Sequence, residues 1–567
     1  MNELLDAAQA WLNQDPDEET QSELARLIAA AKGGDSNAQA ELHSRFDSRL
    51  EFGTAGLRGE LAAGPNRMNR VLVSQAAAGL AAYLVKREPN PSVVIGYDGR
   101  KNSQVFALDT AEIMSGAGVN TILLPRLMPT PVLAFAVRHL KTSAGVMVTA
   151  SHNPPNDNGY KVYLGGSDEG SQIVPPADSE IEAEILKVAA DSNVKSLPRS
   201  KDYSVADESL LDEYVKRTVS IVEPPSVSPK FVYTAMHGVG WETAERVFRD
   251  AGFAAPTVVK EQIEPDAKFP TVAFPNPEEP GALDLSYSTA TAVGAELIIA
   301  NDPDADRLAI AIPDGDGWRR LTGNEVGSLL GWRAAQRLER EAETVAAVGG
   351  DSASCVSGTL ACSIVSSPAL AEIARQYHLE HEETLTGFKW VSRVECLAFG
   401  YEEALGYLVD PQKVRDKDGI SAALEFLALV AELKANGQTV ADHLTAFAEK
   451  FGAFASGQVS IRVSDLSEIP RMMSRLRAEH PSKIGNFNVT QIDDFATGFG
   501  DFAPSDILRI HLSDGSRIII RPSGTEPKLK VYLDASSKVG SGSERIDAAR
   551  ATITALDAAV RPLLGQS

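Results

Sequence analysis

Short apolar runs that break abruptly into polar loops recur along this chain, and they leave few folds open. Ser92-Val93-Val94-Ile95-Gly96-Tyr97 ends on Asp98, residues 144–150 end on Ser151-His152-Asn153-Pro154-Pro155, and Glu296-Leu297-Ile298-Ile299-Ala300 leads into Asp302-Pro303-Asp304-Ala305-Asp306-Arg307. Runs this short and this apolar read as buried strands. Segments with helical character lie between them, as over 74–86 and after Gly238-Val239-Gly240. Strand and helix in alternation predict an α/β chain with largely parallel sheets.

A chain of 567 residues is too long for one hydrophobic core, and roughly three to five domains are expected. Residues 1–50 carry Leu5, Ala8 and Leu12, then Leu24, Leu27 and Ile28, at helical spacing. They predict two helices forming an extension with a packing role. Three α/β units follow, over 51–215, 216–320 and 321–452. A polar stretch at 192–208 separates the first from the second. The third is expected to hold a strand at 344–348 and a long helix over 421–436. The last part, 453–567, alternates strands such as 458–463 and 517–521 before an Ala-rich helix, which predicts a smaller α+β domain.

Charge narrows the partners. The formal net charge is -23, from 54 basic and 77 acidic side chains. Such a surface disfavours nucleic acid and anionic membranes, so any anionic substrate needs a locally basic pocket. Cys355, Cys362 and Cys396 form no metal-ligand pattern and no disulfide framework, which predicts a cytoplasmic location. The N-terminus lacks the basic and apolar regions of a signal peptide, and no apolar run reaches the roughly 18 residues of a membrane span.

Three sites carry chemistry. Asp302, Asp304 and Asp306 alternate, so on an extended chain they project to one side and can share a cation. Hard oxygen ligands without Cys or His favour magnesium over zinc. A solvated acidic turn is the alternative, and the preceding apolar run and Arg307 weigh against it. Ser151 is expected on a stiff exposed loop, because two prolines forbid a helix there. A phosphoserine carries close to two negative charges, so a divalent cation between Ser151 and the three aspartates would let the two sites work together. Lys161, ten residues on, can deliver a proton or a charge. His152 reads as a loop-ordering residue rather than a base. The third site, Arg521-Pro522-Ser523-Gly524-Thr525-Glu526-Pro527-Lys528, offers a guanidinium, hydroxyls and glycine amides suited to a phosphate dianion.

Other segments are ambiguous alone. Gly400-Tyr401-Glu402-Glu403-Ala404-Leu405-Gly406-Tyr407 could accept hydrogen bonds from sugar hydroxyls, or be two exposed glutamates. Residues 53–59 with Arg58 form a flexible loop with one cation. Thr386-Gly387-Phe388-Lys389 and Arg415-Asp416-Lys417-Asp418-Gly419 add charge, with most lysines there expected in solvent. Asp98-Gly99-Arg100 reads as a turn with a structural ion pair.

Together, and in this order, the motifs from about residue 50 onward resemble the α-D-phosphohexomutase family, the phosphoglucomutases and phosphomannomutases. Phe52-Gly53-Thr54-Ala55-Gly56-Leu57-Arg58-Gly59 and Glu402-Glu403-Ala404-Leu405-Gly406-Tyr407 resemble its branch of phosphoglucomutase-2 and phosphopentomutase-like proteins. The resemblance implies four domains around a central cleft, three related α/β sandwich domains plus a smaller C-terminal α+β domain. It implies a phosphorylated Ser151, and magnesium held by Asp302, Asp304 and Asp306 with a phosphoserine oxygen. Arg307 would sit beside the transferring phosphate, Lys161 would be the acid/base lysine, and Arg58 would approach the catalytic centre. Glu403 would bind sugar hydroxyls, and Arg521, Ser523, Gly524 and Thr525 the non-reacting phosphate. Two positions depart from the family. Phe388 follows Gly387 where many members carry histidine, so Lys389 becomes a substitute candidate. Leu405 stands where many hexomutases carry serine.

The expected activity is a phosphosugar mutase, an intramolecular phosphotransferase of the isomerase class, acting through phospho-Ser151 and a sugar 1,6-bisphosphate that also serves as activator. Glucose 1-phosphate to glucose 6-phosphate comes first. Mannose phosphate and ribose 1-phosphate to ribose 5-phosphate come next, and a phosphatase using the same serine last. A monomer or homodimer would suffice.

Overall fold

A computed structural model describes residues 1–54, 56–347, 358–463, 467–523 and 528–564. By its internal contacts the chain divides into two compact units. One comprises Met1–Leu321 with Leu405–Ala431, the other Thr322–Ala404 with Glu432–Ser567.

The first unit opens with three helices, not two: Asn2–Gln14, Glu18–Lys32 and Ser36–Phe46. Asp17 caps the second by accepting from the Glu19 amide, and Asp35 caps the third by accepting from the amides of Asn37 and Ala38. Ala8, Trp11, Leu24, Ile28 and Leu42 bury together against Ala63 and Val71, so the extension is fused to the domain behind it. The helix expected over 74–86 is longer, Arg70–Arg87, because Asn69 caps its start by accepting from the Leu72 amide.

Two sheets carry the rest of this unit. In the first, Ala144–Val148, Ser92–Tyr97, Asn120–Leu123 and Ser204–Val205 lie side by side and parallel. Asp157–Leu164 joins antiparallel to Ala144–Val148, and Leu57–Glu60 antiparallel to Asp157–Leu164. In the second, Leu297–Asn301, Phe231–Thr234 and Thr257–Val258 run parallel, with Leu308–Asp314 and Gly317–Arg320 added antiparallel. Each sheet therefore has a parallel centre and antiparallel additions. Ser151 and the three aspartates both follow the carboxyl end of a central parallel strand, where α/β sheets present ligand-binding loops.

In the second unit Glu380–Thr384, Thr359–Ser363 and Leu397–Glu402 run parallel. The strand expected at 344–348 is not there: residues 344–347 end the helix Gly323–Ala347, and Val348 lies outside the described residues. The short β-branched run is the last turn of a long helix. The helix expected over 421–436 is Gly419–Ala435, of which the part up to Ala431 belongs to the first unit. The remaining strands, Ala453–Arg462, Lys528–Ser537, Arg517–Pro522, Leu508–Leu512, Phe487–Asp494 and Lys483–Ile484, form one antiparallel sheet. The helix Gly542–Leu563 covers it through Leu556 and Val560.

Candidate active site

Asp302, Asp304 and Asp306 follow the strand Leu297–Asn301 and are almost wholly excluded from solvent. They converge through a turn rather than along an extended chain. The Ala305 amide donates to the Asp302 carbonyl at 2.8 Å, and Ala305 takes a left-handed φ of 57°. One carboxylate oxygen from each lies within 4.8 Å of the others. Close packing sets the turn: a Cβ on Gly238 would stand 2.2 Å from the Pro303 carbonyl oxygen, so only glycine lets the neighbouring loop approach.

Ser151 points into this cluster. Its hydroxyl donates to Asp302 Oδ2 at 2.8 Å and lies 3.2 Å from His152 Nδ1. The expectation of an exposed serine is corrected, since Ser151 is 2% exposed. The prolines do keep a helix from starting, but the loop folds inward.

Cations surround the triad. Lys161 donates to Asp304 Oδ2 and Asp306 Oδ2, both at 2.8 Å. Thr130 Oγ1 adds a bond to Asp304 Oδ2 at 2.7 Å. Lys417 Nζ stands 3.2 Å from Asp306 Oδ2, and Arg307 Nε 3.8 Å from Asp306 Oδ1. Arg58 donates to Asn153 Oδ1 at 3.3 Å. Most lysines of the segments 386–389 and 415–419 are expected in solvent, but Lys417 is buried, as is Lys413 just before it. Lys413 pairs with Asp418 at 2.6 Å, because a buried ammonium persists only beside an opposite charge.

These contacts set the charge states. Burial pushes the Asp302 carboxyl well up, and repulsion from Asp304 and Asp306 adds to it. Burial acts the same way on Asp306, but Lys161, Lys417 and Arg307 outweigh it and hold Asp306 ionised. Burial would discharge Lys161, yet Asp304, Asp306 and Asp416 outweigh that and keep it an ammonium. His152 is driven far below its usual range by burial and then by Arg307 and Arg58, so its ring is neutral.

The donor set fits a hard divalent cation. Asp304 Oδ1 and Asp306 Oδ1 are buried with no hydrogen-bond partner among the described residues. The crowding that raises Asp302 is what a shared cation relieves. With the Ser151 oxygen the ligands are all oxygen.

The second unit holds the other expected residues. Glu403 Oε2 accepts from Ser363 Oγ at 3.1 Å and Ser366 Oγ at 3.3 Å. Glu402 Oε1 accepts from the Gly387 amide at 2.7 Å, which ties down the start of the short helix Phe388–Val391 that bears Lys389. Lys389 is half-buried, 5.8 Å from the centre of the Trp390 ring, and Phe388 is a core residue. Arg521 and Ser523 lie where the strand Arg517–Pro522 ends, both half-exposed, with the Ser523 amide donating to the Lys528 carbonyl at 2.8 Å. Gly524 and Thr525 lie outside the described residues. Leu405 belongs to the first unit and is buried with Met236, Ala300 and Ala309.

Sequence reasoning missed Lys417 and Thr130 at the triad. Lys417 had a readable signal, a dense charge cluster at the mouth of the apolar helix Gly419–Ala435. Thr130 had none.

Profiles of the phosphoglucomutase/phosphomannomutase family match four consecutive stretches: α/β/α domain I at 49–191, domain II at 212–315, domain III at 323–451 and the C-terminal domain at 459–546. The chain belongs to this family. It is 55% identical over 501 residues to a probable phosphomannomutase of Haemophilus influenzae, covering 88% of this chain and 98% of that one. It is 36% identical over 576 residues to a probable phosphoribomutase of Schizosaccharomyces pombe, covering 94% of each. The crystal structure of a putative phosphomannomutase from Thermus thermophilus shares the fold, with a TM-score of 0.69 at 22% identity over 91% of this chain and 99% of that one. Membership carries a reaction class: the protein is a phosphosugar mutase, an isomerase that transfers a phosphoryl group. Among the described residues no helix is long and apolar enough to cross a membrane.

Proposed function

We propose that Ser151 carries the phosphoryl group of this mutase and that the substrate is a hexose phosphate, glucose 1-phosphate first, converted to glucose 6-phosphate. The observation that carries the reading is the Ser151 hydroxyl, buried and 2.8 Å from Asp302 in a triad with two oxygens that accept no hydrogen bond among the described residues. The resting enzyme is phosphorylated on Ser151. A substrate hydroxyl oxygen attacks phosphorus and its new P–O bond forms as the Ser151 Oγ–P bond breaks, while the Lys161 ammonium gives a proton to Ser151 Oγ and takes back the one lost by the substrate hydroxyl. The resulting sugar 1,6-bisphosphate turns over and returns its other phosphate to Ser151. A free sugar 1,6-bisphosphate primes the unphosphorylated enzyme.

Magnesium, held by Asp302, Asp304, Asp306 and a seryl phosphate oxygen, would neutralise charge on the transferring group. The chain's own residues do the rest. Arg307 and Arg58 present guanidinium charge near Ser151, where a dianion must be held in a net acidic protein. Lys161 is the acid/base candidate, and His152 Nδ1 orients the hydroxyl. Glu403, already accepting two serine hydroxyls, has the acceptor chemistry to take sugar hydroxyls, with Lys389 beside that loop. Arg521 and Ser523, continued by Gly524 and Thr525, have the donors to grip the non-reacting phosphate. Catalysis by such a set is positioning and charge stabilisation.

Mannose and pentose phosphates are the alternatives raised by the relatives' names. Leu405, buried among apolar side chains, offers no hydroxyl to a hexose. The same reading divides the chain at 51, 216, 321 and 453, supported by profile matches that begin at 49, 212, 323 and 459. It places the enzyme in the cytoplasm, supported by the free thiols of Cys362 and Cys396. A coupled assay over glucose, mannose, glucosamine, ribose and deoxyribose 1-phosphates, with magnesium and a bisphosphate primer, tests the substrate. The highest kcat/KM is expected for glucose 1-phosphate, and a clear preference for ribose 1-phosphate would overturn that choice.

A further inference from the structure

Ser151 sits at a backbone φ of 50°. A left-handed non-glycine residue is strained and persists only where its surroundings over-determine it. On one side the Ser151 amide donates to Thr149 Oγ1 at 2.8 Å. The other side is held by Arg100, which sequence reasoning took for half of a turn's ion pair.

The Arg100 guanidinium gathers four carbonyls of the loop. One terminal nitrogen donates to the Ser151 carbonyl at 2.7 Å and the Asn153 carbonyl at 2.6 Å. The other donates to the Pro154 carbonyl at 2.8 Å and the Asp157 carbonyl at 3.1 Å. Arg100 is 4% exposed, so these are not surface contacts. Asp98 fixes its direction, with a carboxylate oxygen 3.7 Å from Nε and the other accepting from the Arg100 amide at 3.0 Å and from Ser103 Oγ at 2.6 Å. The Phe269 ring lies 5.0 Å from the guanidinium carbon. Among the described residues these contacts go to backbone or to supporting side chains, and none goes to Ser151 Oγ.

Four carbonyl oxygens turned toward one point repel each other unless a cation sits there. A planar fork with five N–H groups serves all four at once, which a lysine ammonium with three donors cannot do. We infer that Arg100 is a positioning residue for phosphoryl transfer: it curls the loop so that the Ser151 hydroxyl is aimed at the aspartate triad before substrate binds. The inference rests on Ser151 being the phosphoryl carrier.

The test is the rate at which the full-length enzyme takes up one phosphoryl group from glucose 1,6-bisphosphate with magnesium, followed by intact mass and located by peptide mapping. Arg100→Lys is expected to slow loading and lower kcat by about 10²-fold, the loss that follows a misplaced reacting group, with KM changed less than about threefold. Asp98→Asn should shift the same quantities by less. Arg100→Ala should regain loading when guanidinium chloride is added below denaturing concentration, and not when sodium chloride replaces it. A purely structural arginine predicts the reverse pattern: a lower melting temperature and fewer active molecules, with kcat per active site unchanged and no guanidinium rescue. Should Arg100→Ala not fold, Arg100→Lys and Asp98→Asn carry the test. Wild-type loading at Ser151 together with wild-type rates in Arg100→Lys would overturn the inference alone. Absence of label on Ser151 in the wild type would overturn the serine reading and the inference with it.

Discussion

The two compact units hold their candidate groups in opposite ways. In the first, Ser151, Lys161, Lys417 and the three aspartates are nearly inaccessible, and each is fixed by groups far away in sequence. In the second, Glu403, Lys389, Arg521 and Ser523 stand half-exposed, Lys389 on a short helix and the others at or just past strand ends. On the proposed roles, the difference follows from what each set would do. Phosphoryl transfer gains from a dry site, where charge interactions are strong and the groups need not reorganise. Recognition of a sugar and its second phosphate needs groups that meet ligands which come and go. Variants in the first unit should therefore lower kcat, and variants in the second should mainly raise KM.

The largest effect is expected at the serine. Ser151→Ala should reduce mutase turnover by at least about 10⁴-fold, as loss of a nucleophile does, measured in the coupled glucose 6-phosphate assay. Residual turnover near the wild-type rate would remove the first unit from the chemistry. Next is the triad. Asp304→Asn, or chelation with EDTA, should cost about 10³-fold in kcat, the several kcal/mol a metal supplies to the transition state. Added magnesium should restore the chelated wild type and not the variant. Equal recovery of both would show that Asp304 is no ligand.

Legibility divides along the same line. The aspartate triad and Ser151 were readable because each is a short run at the end of an apolar strand. Their burial was not, because two prolines report local stiffness and say nothing of which way a loop folds. Lys417 meets Asp306 across more than a hundred residues, so the charge cluster around it was readable but its partner was not. Arg100 was undervalued because its acceptors are backbone carbonyls, which leave no mark in a sequence. The helix Ser36–Phe46 was missed because its inward face is thin, with Ala38, Leu42 and Arg45 as its buried residues. Over 344–347 the expected strand is instead helix, β-branched residues yielding to a long helix that had already started.

In the second unit Arg521→Ala should lower kcat/KM by about 10- to 100-fold, the range for a lost hydrogen bond to a charged group, with most of the loss in KM. A fall in kcat alone, with KM unchanged, would break the contrast between the units. The smallest effect is expected for Glu403→Gln, about tenfold or less. It should differ between glucose and ribose 1-phosphates if Glu403 reads sugar hydroxyls, and a uniform loss across sugars would assign Glu403 to holding Ser363 and Ser366 instead.

One measurement tests the central claim most directly. The wild-type enzyme is incubated with glucose 1,6-bisphosphate carrying a labelled phosphoryl group, with magnesium present, and then digested and mapped. The account predicts one label per chain, on the peptide containing Ser151, chased off by unlabelled glucose 1-phosphate at a rate no slower than turnover. Label on any other residue, or turnover with Ser151 unlabelled, would contradict it.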